Sequence, residues 1–128
     1  MMSIQLLSPD TVLKPKGHYS PCIVHNGLVY VAGQLPLDAN GTPQLESIEV
    51  QTKQCLYNVE QILLAAGSDL NHVLKVSIFV SDIAHWPIVN ATYAAIFGDH
   101  KPARIIVPCN QLNYGCAIEI DCIAAVKK

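Results

Sequence analysis

Lys101-Pro-Ala-Arg-Ile-Ile-Val-Pro-Cys109 and, after a loop, Cys116-Ala-Ile-Glu-Ile-Asp-Cys-Ile-Ala124 decide how this chain is read. Taken as two strands with side chains alternating between faces, Arg104 and Ile106 share one face of the first, and Glu119 and Asp121 share one face of the second. Arg104 is the only arginine in the chain. Alternation therefore predicts that a cation and a carboxylate line one pocket.

Upstream of these strands, Cys22-Ile-Val-His and Leu28-Val-Tyr-Val-Ala flank Asn26-Gly27, a dipeptide suited to a two-residue hairpin turn because both positions tolerate positive φ. A short strand over Ile4 to Leu7 precedes them, and Ser8 to Lys16 reads as an irregular connection. From about Ser47 the period becomes helical: Cys55, Val59, Ile62, Leu63 and Ala66 recur on one face, Glu49 lies in the first turn and Gly67 falls just past the end. Leu74, Val76, Ile78 and Val80 then alternate onto one face of a strand. A second helix has Pro87 in its first turn, Val89, Tyr93, Ile96 and Phe97 as its apolar stripe, and Gly98 as its stop. The order is hairpin, helix, strand, helix, two strands, and 128 residues without a compositional break predict one domain, 1–128.

Composition bounds the function. Hydrophobic residues make up 51% and charged residues 14% of the chain, a surplus that predicts surface covered by another subunit. A formal net charge of -2 gives no footprint for nucleic acid or anionic membranes. Five cysteines with no C-x-x-C pair, together with an N-terminus broken by Ser8, Pro9 and Asp10, fit a cytoplasmic protein without a disulfide framework. The five histidines form no metal-ligand spacing, so no metal is expected, and no glycine-rich phosphate cradle opens a helix.

Arg104 carries the most chemistry. Its guanidinium grips carboxylates with two prongs, and on an apolar strand it is costly to bury without an acidic partner. That partner is Glu119, Asp121 or a ligand, the plain alternative being a structural ion pair or a strand-end arginine reaching solvent. Glu119 between two isoleucines is either a solvated-face acid or a general acid/base raised by partial burial. Tyr19 reads as a ligand-facing phenol or a packing residue, and Asn90 as an ordinary helix-surface residue.

Taken together, Gly17-His-Tyr-Ser, Asn26-Gly-Leu-Val-Tyr-Val-Ala-Gly-Gln-Leu-Pro36, Gln51-Thr-Lys-Gln-Cys-Leu-Tyr-Asn-Val59, Ala66-Gly67, Lys75-Val-Ser-Ile-Phe-Val-Ser-Asp82, Asn90-Ala-Thr-Tyr93, Pro102-Ala-Arg104 and Ile118-Glu-Ile-Asp121 resemble the RidA (YjgF/YER057c/UK114) family over nearly the whole length. The resemblance implies a chorismate-mutase-like α+β fold, a mixed sheet packed against two helices, and a homotrimer around a central β-barrel with active sites between subunits. It implies hydrolytic deamination of reactive enamines and imines of the 2-aminoacrylate type to 2-keto acids and ammonia, without a cofactor. A small-metabolite binding protein using the same intersubunit pocket is the alternative, and a ribonuclease is disfavoured by the charge balance.

Carried over by motif, Arg104 clamps the substrate carboxylate, Glu119 activates water, Tyr19, Ala32, Gly33 and Asn90 line the site, and the Ile106 backbone meets the substrate nitrogen. Ala32 and Ile106 stand where many deaminating members have serine and cysteine, removing a hydroxyl and a thiol from the implied pocket. His18 and Pro21 also depart from the commoner Gly-Pro-Tyr-Ser-Gln form.

Overall fold

A computed structural model describes residues 3–128. The hairpin forms where Asn26-Gly27 demands it: β2 (Cys22–His25) and β3 (Leu28–Gln34) pair antiparallel around Asn26 at φ 53° and Gly27 at φ 76°, both left-handed as a two-residue turn requires. A short strand, β1 (Gln5–Leu7), adds to the outside of β2.

The first helix, α1 (Ile48–Ala65), starts where Ser47 accepts a bond from the Val50 N–H, which satisfies one of the donors a helix start leaves open. Gly67, at φ 82°, turns the chain away after it. β4 (Val73–Val80) follows, then α2 (Trp86–Phe97), with Pro87 in its first turn and Gly98 at its end, then β5 (Ala103–Pro108) and β6 (Ile118–Ala125).

The six strands form one sheet in the order β1-β2-β3-β6-β4-β5, antiparallel except for β4 and β5. Two parallel neighbours need a crossover connection, and α2 supplies it. α1 packs against β3, β6 and α2, so both helices cover the same face of the sheet. That face holds the core: Val29, Val31, Val76, Ile78, Val80, Ile118, Ile120 and Ala124 meet Leu56, Val59, Ile62 and Leu63 of α1 and Val89 and Phe97 of α2.

Among the described residues no helix covers the other face. Cross-strand rows on it read Tyr30–Ile123–Lys75, Ile105–Ser77–Asp121 and Val107–Phe79–Glu119, apolar residues interleaved with polar ones. Tyr30 and Ile105 are exposed there.

One expectation is corrected. Leu74 does not share a face with Val76, Ile78 and Val80; it is 48% exposed, and fully buried Val73 takes the inward position. Val73 pairs with Ala124 and Lys75 with Ile123, so β4 carries one more residue than its partner there. The extra residue is a β-bulge, which shifts the alternation by one. A second bulge lies in β3, where Val31 pairs with Cys122 but Gln34 with Ile120.

Candidate functional site between two faces of the sheet

Arg104 and Glu119 do not share a pocket within one chain. Arg104 sits opposite Val76, a core residue, and so points to the helix side; Glu119 sits opposite Phe79 and points to the open side. Alternation placed each side chain correctly within its own strand, but the two parities are linked through β4, which stands between them.

On the helix side, Arg104 lies against α2. Its guanidinium carbon is 4.8 Å from the Tyr93 ring centroid and 5.8 Å from that of Trp86, two helical turns away on the same face of α2. Among the described residues no carboxylate comes within ion-pair distance of it. A cavity of about 380 Å³ opens beside it, bounded by Asn90, Phe97, His100, Lys101 and Pro102. Asn90 is thus half-buried at the site rather than an ordinary surface residue, because the turn of α2 that stacks on Arg104 also turns Asn90 to the cavity. Burial pushes the Tyr93 phenol up to about 12, against the opposing field of Arg104, and the Tyr93 hydroxyl has no hydrogen-bond partner. β5 is the edge of the sheet, so alternate backbone groups around Ile106 face away from β4 without a partner in the sheet.

On the open side, Glu119 occupies space that Gly33 leaves. A Cβ added to Gly33 would stand 2.7 Å from Glu119 Oε2 and 3.1 Å from the carboxyl carbon, so that any side chain there would push the Glu119 carboxylate aside. Gly33 is needed here for room, not for an unusual φ, and it lies within the β3 bulge between Val31 and Gln34. Burial, and secondarily the charge of Asp121, push the Glu119 carboxyl above its ordinary value. Tyr19 and Gly33 line one small recess of about 50 Å³, with Pro21 and Gln34. The Ala32 N–H donates to the Pro21 carbonyl at 2.9 Å, which fixes the Tyr19 loop to β3. The phenol itself is 55% exposed.

Two buried residues of α1 support this side without an obvious sequence signal. Gln51 Oε1 accepts from the Ala117 N–H at 2.8 Å, anchoring the start of β6 two residues before Glu119. Asn58 Nδ2 donates to the carbonyls of Leu35 (3.2 Å) and Leu37 (2.9 Å), holding the chain as it leaves Gly33, while Gln54 donates to Asn58 Oδ1. Both are almost fully buried, at 6% and 4% exposure, among the apolar stripe of α1. A polar residue on a helix's apolar face is the one clue the sequence offered, because such a group must find a partner. Among the described residues no three His, Cys, Asp or Glu side chains stand where they could hold a metal ion.

The family model described as Endoribonuclease L-PSP matches residues 10–126. The chain belongs to this family, the YjgF/RidA family. It is 40% identical over 115 residues to the mitochondrial protein mmf1 of Schizosaccharomyces pombe, covering 88% of this chain and 70% of that protein. It is 37% identical to a RutC family protein of Pyrococcus horikoshii, covering 94% of this chain and 96% of that one. It is also 37% identical to the chloroplastic Reactive Intermediate Deaminase A of Arabidopsis thaliana, covering 95% of this chain and 66% of that protein. The crystal structure of yeast Mmf1 superposes with a TM-score of 0.94 at 31% identity, covering 98% of this chain and all of that one. The α+β architecture, a mixed sheet with two helices on one face, is therefore that of the YjgF/RidA structures.

Proposed function

We propose that this chain, acting as one domain, is a cofactor-independent deaminase of reactive 2-imino acids and their enamines, with each active site built from two subunits. The observation that carries the reading is Arg104, stacked on two aromatic rings beside a cavity with no acidic partner among the described residues. An arginine so placed is satisfied by a ligand carboxylate, whose two oxygens match its fork. Support comes from a relative named as a reactive intermediate deaminase.

Because Arg104 and Glu119 lie on opposite faces, a site using both takes Arg104 and Asn90 from one subunit and Glu119, Tyr19, Ala32 and Gly33 from its neighbour. The half-apolar, uncovered face of the sheet supports assembly, since a sheet face carrying Tyr30, Ile105, Phe79 and Ile123 needs a second layer. A homotrimer packing three such faces into a central barrel satisfies this.

In the reaction, Arg104 holds the substrate carboxylate and fixes the C=N carbon. Glu119 takes a proton from water as the water oxygen bonds to that carbon, and passes it to the imine nitrogen, giving a carbinolamine. Glu119 then takes the carbinolamine hydroxyl proton as C=O re-forms, the C–N bond breaks with its electron pair leaving on nitrogen, and that second proton goes to the nitrogen to give ammonia and a 2-keto acid. An unpaired backbone group near Ile106 meets the nitrogen, a role that needs no cysteine at this position. Ala32 removes only a side-chain hydroxyl, its backbone N–H being already engaged by Pro21.

Among the described residues no helix is long and apolar enough to cross a membrane. Relatives named as mitochondrial and chloroplastic leave the compartment to experiment, and a cytoplasmic location is the reading that the five free cysteines favour. The deciding assay generates 2-aminoacrylate in situ with a dehydratase and follows its decay; a rate no faster with this protein than with buffer would leave the metabolite-binding reading in its place.

A further inference from the structure

The cavity beside Arg104 has a second cationic end. Lys101 and His100 line it together with Arg104, and among the described residues of the same chain no aspartate or glutamate does. Lys101 is exposed and, like Arg104, has no carboxylate within ion-pair distance among the described residues. The segment that presents it is fixed at several points. Gly98 ends α2 at φ 64° with its N–H donating to the Ala94 carbonyl, and the His100 N–H donates to Phe97 O. His100 Nε2–H donates to the Val73 carbonyl at 2.7 Å, which ties the connection to the first residue of β4. Pro102 then restrains the backbone between Lys101 and the strand.

Two residues, Pro102 and Ala103, separate Lys101 from Arg104, a backbone span of at most about 11 Å, and both long side chains reach the same space. A ligand with one carboxylate answers Arg104 and leaves the Lys101 ammonium with water. A ligand with carboxylates at both ends answers both, and the cavity's volume of about 380 Å³ holds a four- or five-carbon diacid.

We propose, resting on the deaminase reading above, that this cavity prefers 2-imino acids bearing a second carboxylate, Arg104 holding the α-carboxylate and Lys101 the distal one. Lys101 is then a specificity residue: it distinguishes substrates by side chain and takes no part in the hydrolysis. The reaction is the same addition of water and loss of ammonia, giving a 2-keto diacid. Such imines arise from two-electron oxidation of acidic amino acids at the α-carbon, so an amino-acid oxidase or dehydrogenase would supply the substrate.

The test compares binding and turnover. By calorimetry, 2-oxoglutarate should bind about fivefold more tightly than 2-oxobutanoate, the gain that a partly solvated charge pair provides. Lys101→Met should abolish that preference and leave 2-oxobutanoate binding unchanged. In parallel, amino-acid oxidases generate 2-iminoglutarate or 2-iminobutanoate in situ, and suppression of the semicarbazone adduct reports hydrolysis; Lys101→Met should lower the 2-iminoglutarate rate about fivefold and spare the other. Equal affinity for the two keto acids, or a preference that survives Lys101→Met, overturns the proposal. The two readings fail separately. A Lys101-dependent preference without turnover removes the deaminase and keeps the diacid selectivity, whereas turnover of 2-iminobutanoate without any preference does the reverse.

Discussion

Arg104 and Glu119 are the two half-buried charges of this protein's candidate site, and they are held in opposite ways. The arginine is placed by what surrounds it: two aromatic rings of α2 lie against the guanidinium, and the nearer of them, Tyr93, is packed in the core. The glutamate is placed by what is missing beside it, the side chain of Gly33. The first charge faces the core side of the sheet and the second the uncovered side. On the proposed function, one chain thus carries two complementary halves of a site that it cannot close on itself.

The largest effects should come from removing either charge. Arg104→Ala should lower hydrolysis of in situ 2-aminoacrylate by about 100-fold, the scale of a lost charge-assisted bidentate contact, and Arg104→Lys should recover little because an ammonium cannot reproduce the fork. Glu119→Gln should cost on the order of 10²–10⁴ in rate, as expected for loss of a general base. Near-parental turnover by Arg104→Lys would show that only the charge matters.

A sharper way to break the comparison is to mix the halves. If each site draws on two subunits, co-assembling inactive Arg104→Ala and Glu119→Gln chains should restore activity, with about a quarter of the sites in a randomly mixed cyclic assembly again holding both groups. Failure to recover any activity after co-refolding would mean that the two residues do not meet across an interface.

Gly33→Ala should act more gently and on one half alone. The added methyl meets the movable end of Glu119, so the carboxylate shifts while the sheet stays intact: turnover should fall about tenfold, with a melting temperature within a few degrees of the parent. The smallest effect is on stability against pH. Glu119, raised by burial and by Asp121, binds a proton more readily in the folded chain than in the unfolded one. Its contribution to stability is therefore lost as pH rises from the ordinary carboxylate value of 4.5 through the higher folded value. Glu119→Gln should melt slightly above the parent at neutral pH, and the gap should close below pH 4.5; a Gln variant that melts lower at pH 7 would assign Glu119 a structural role.

Much of the fold was legible because short-range chemistry dictates it. Asn26-Gly27 specifies a tight turn, Ser47 and Gly67 bracket a helix, and Pro87 and Gly98 bracket the other, each through groups that act within a few residues. Leu74 was not legible. A bulge is a relation between two strands, and nothing in Val73-Leu-Lys says that Ile123 will pair one residue later than alternation requires. The same limit hid the separation of Arg104 from Glu119: the parity of each was readable, but their relative facing depends on β4 lying between β5 and β6. Asn90 looked ordinary because its role comes from a strand and a loop that follow it in the chain. Gln51 and Asn58 showed only as polar interruptions of an apolar stripe, and their partners lie 66 and 21–23 residues away.

The crossover from β4 through α2 to β5 gives the molecule a natural place to vary. Before Gly98, α2 is packed on the core, and after Pro102, β5 is bound into the sheet; the few residues between them are tied to β4 by the bond from His100 to the Val73 carbonyl. Lengthening, shortening or recolouring that connection would alter which molecules the neighbouring arginine meets while the scaffold that aims the arginine stays untouched. Under the proposed function, a fold arranged in this way lets substrate choice drift separately from chemistry, so that relatives with the same arginine and glutamate would be free to differ in substrate.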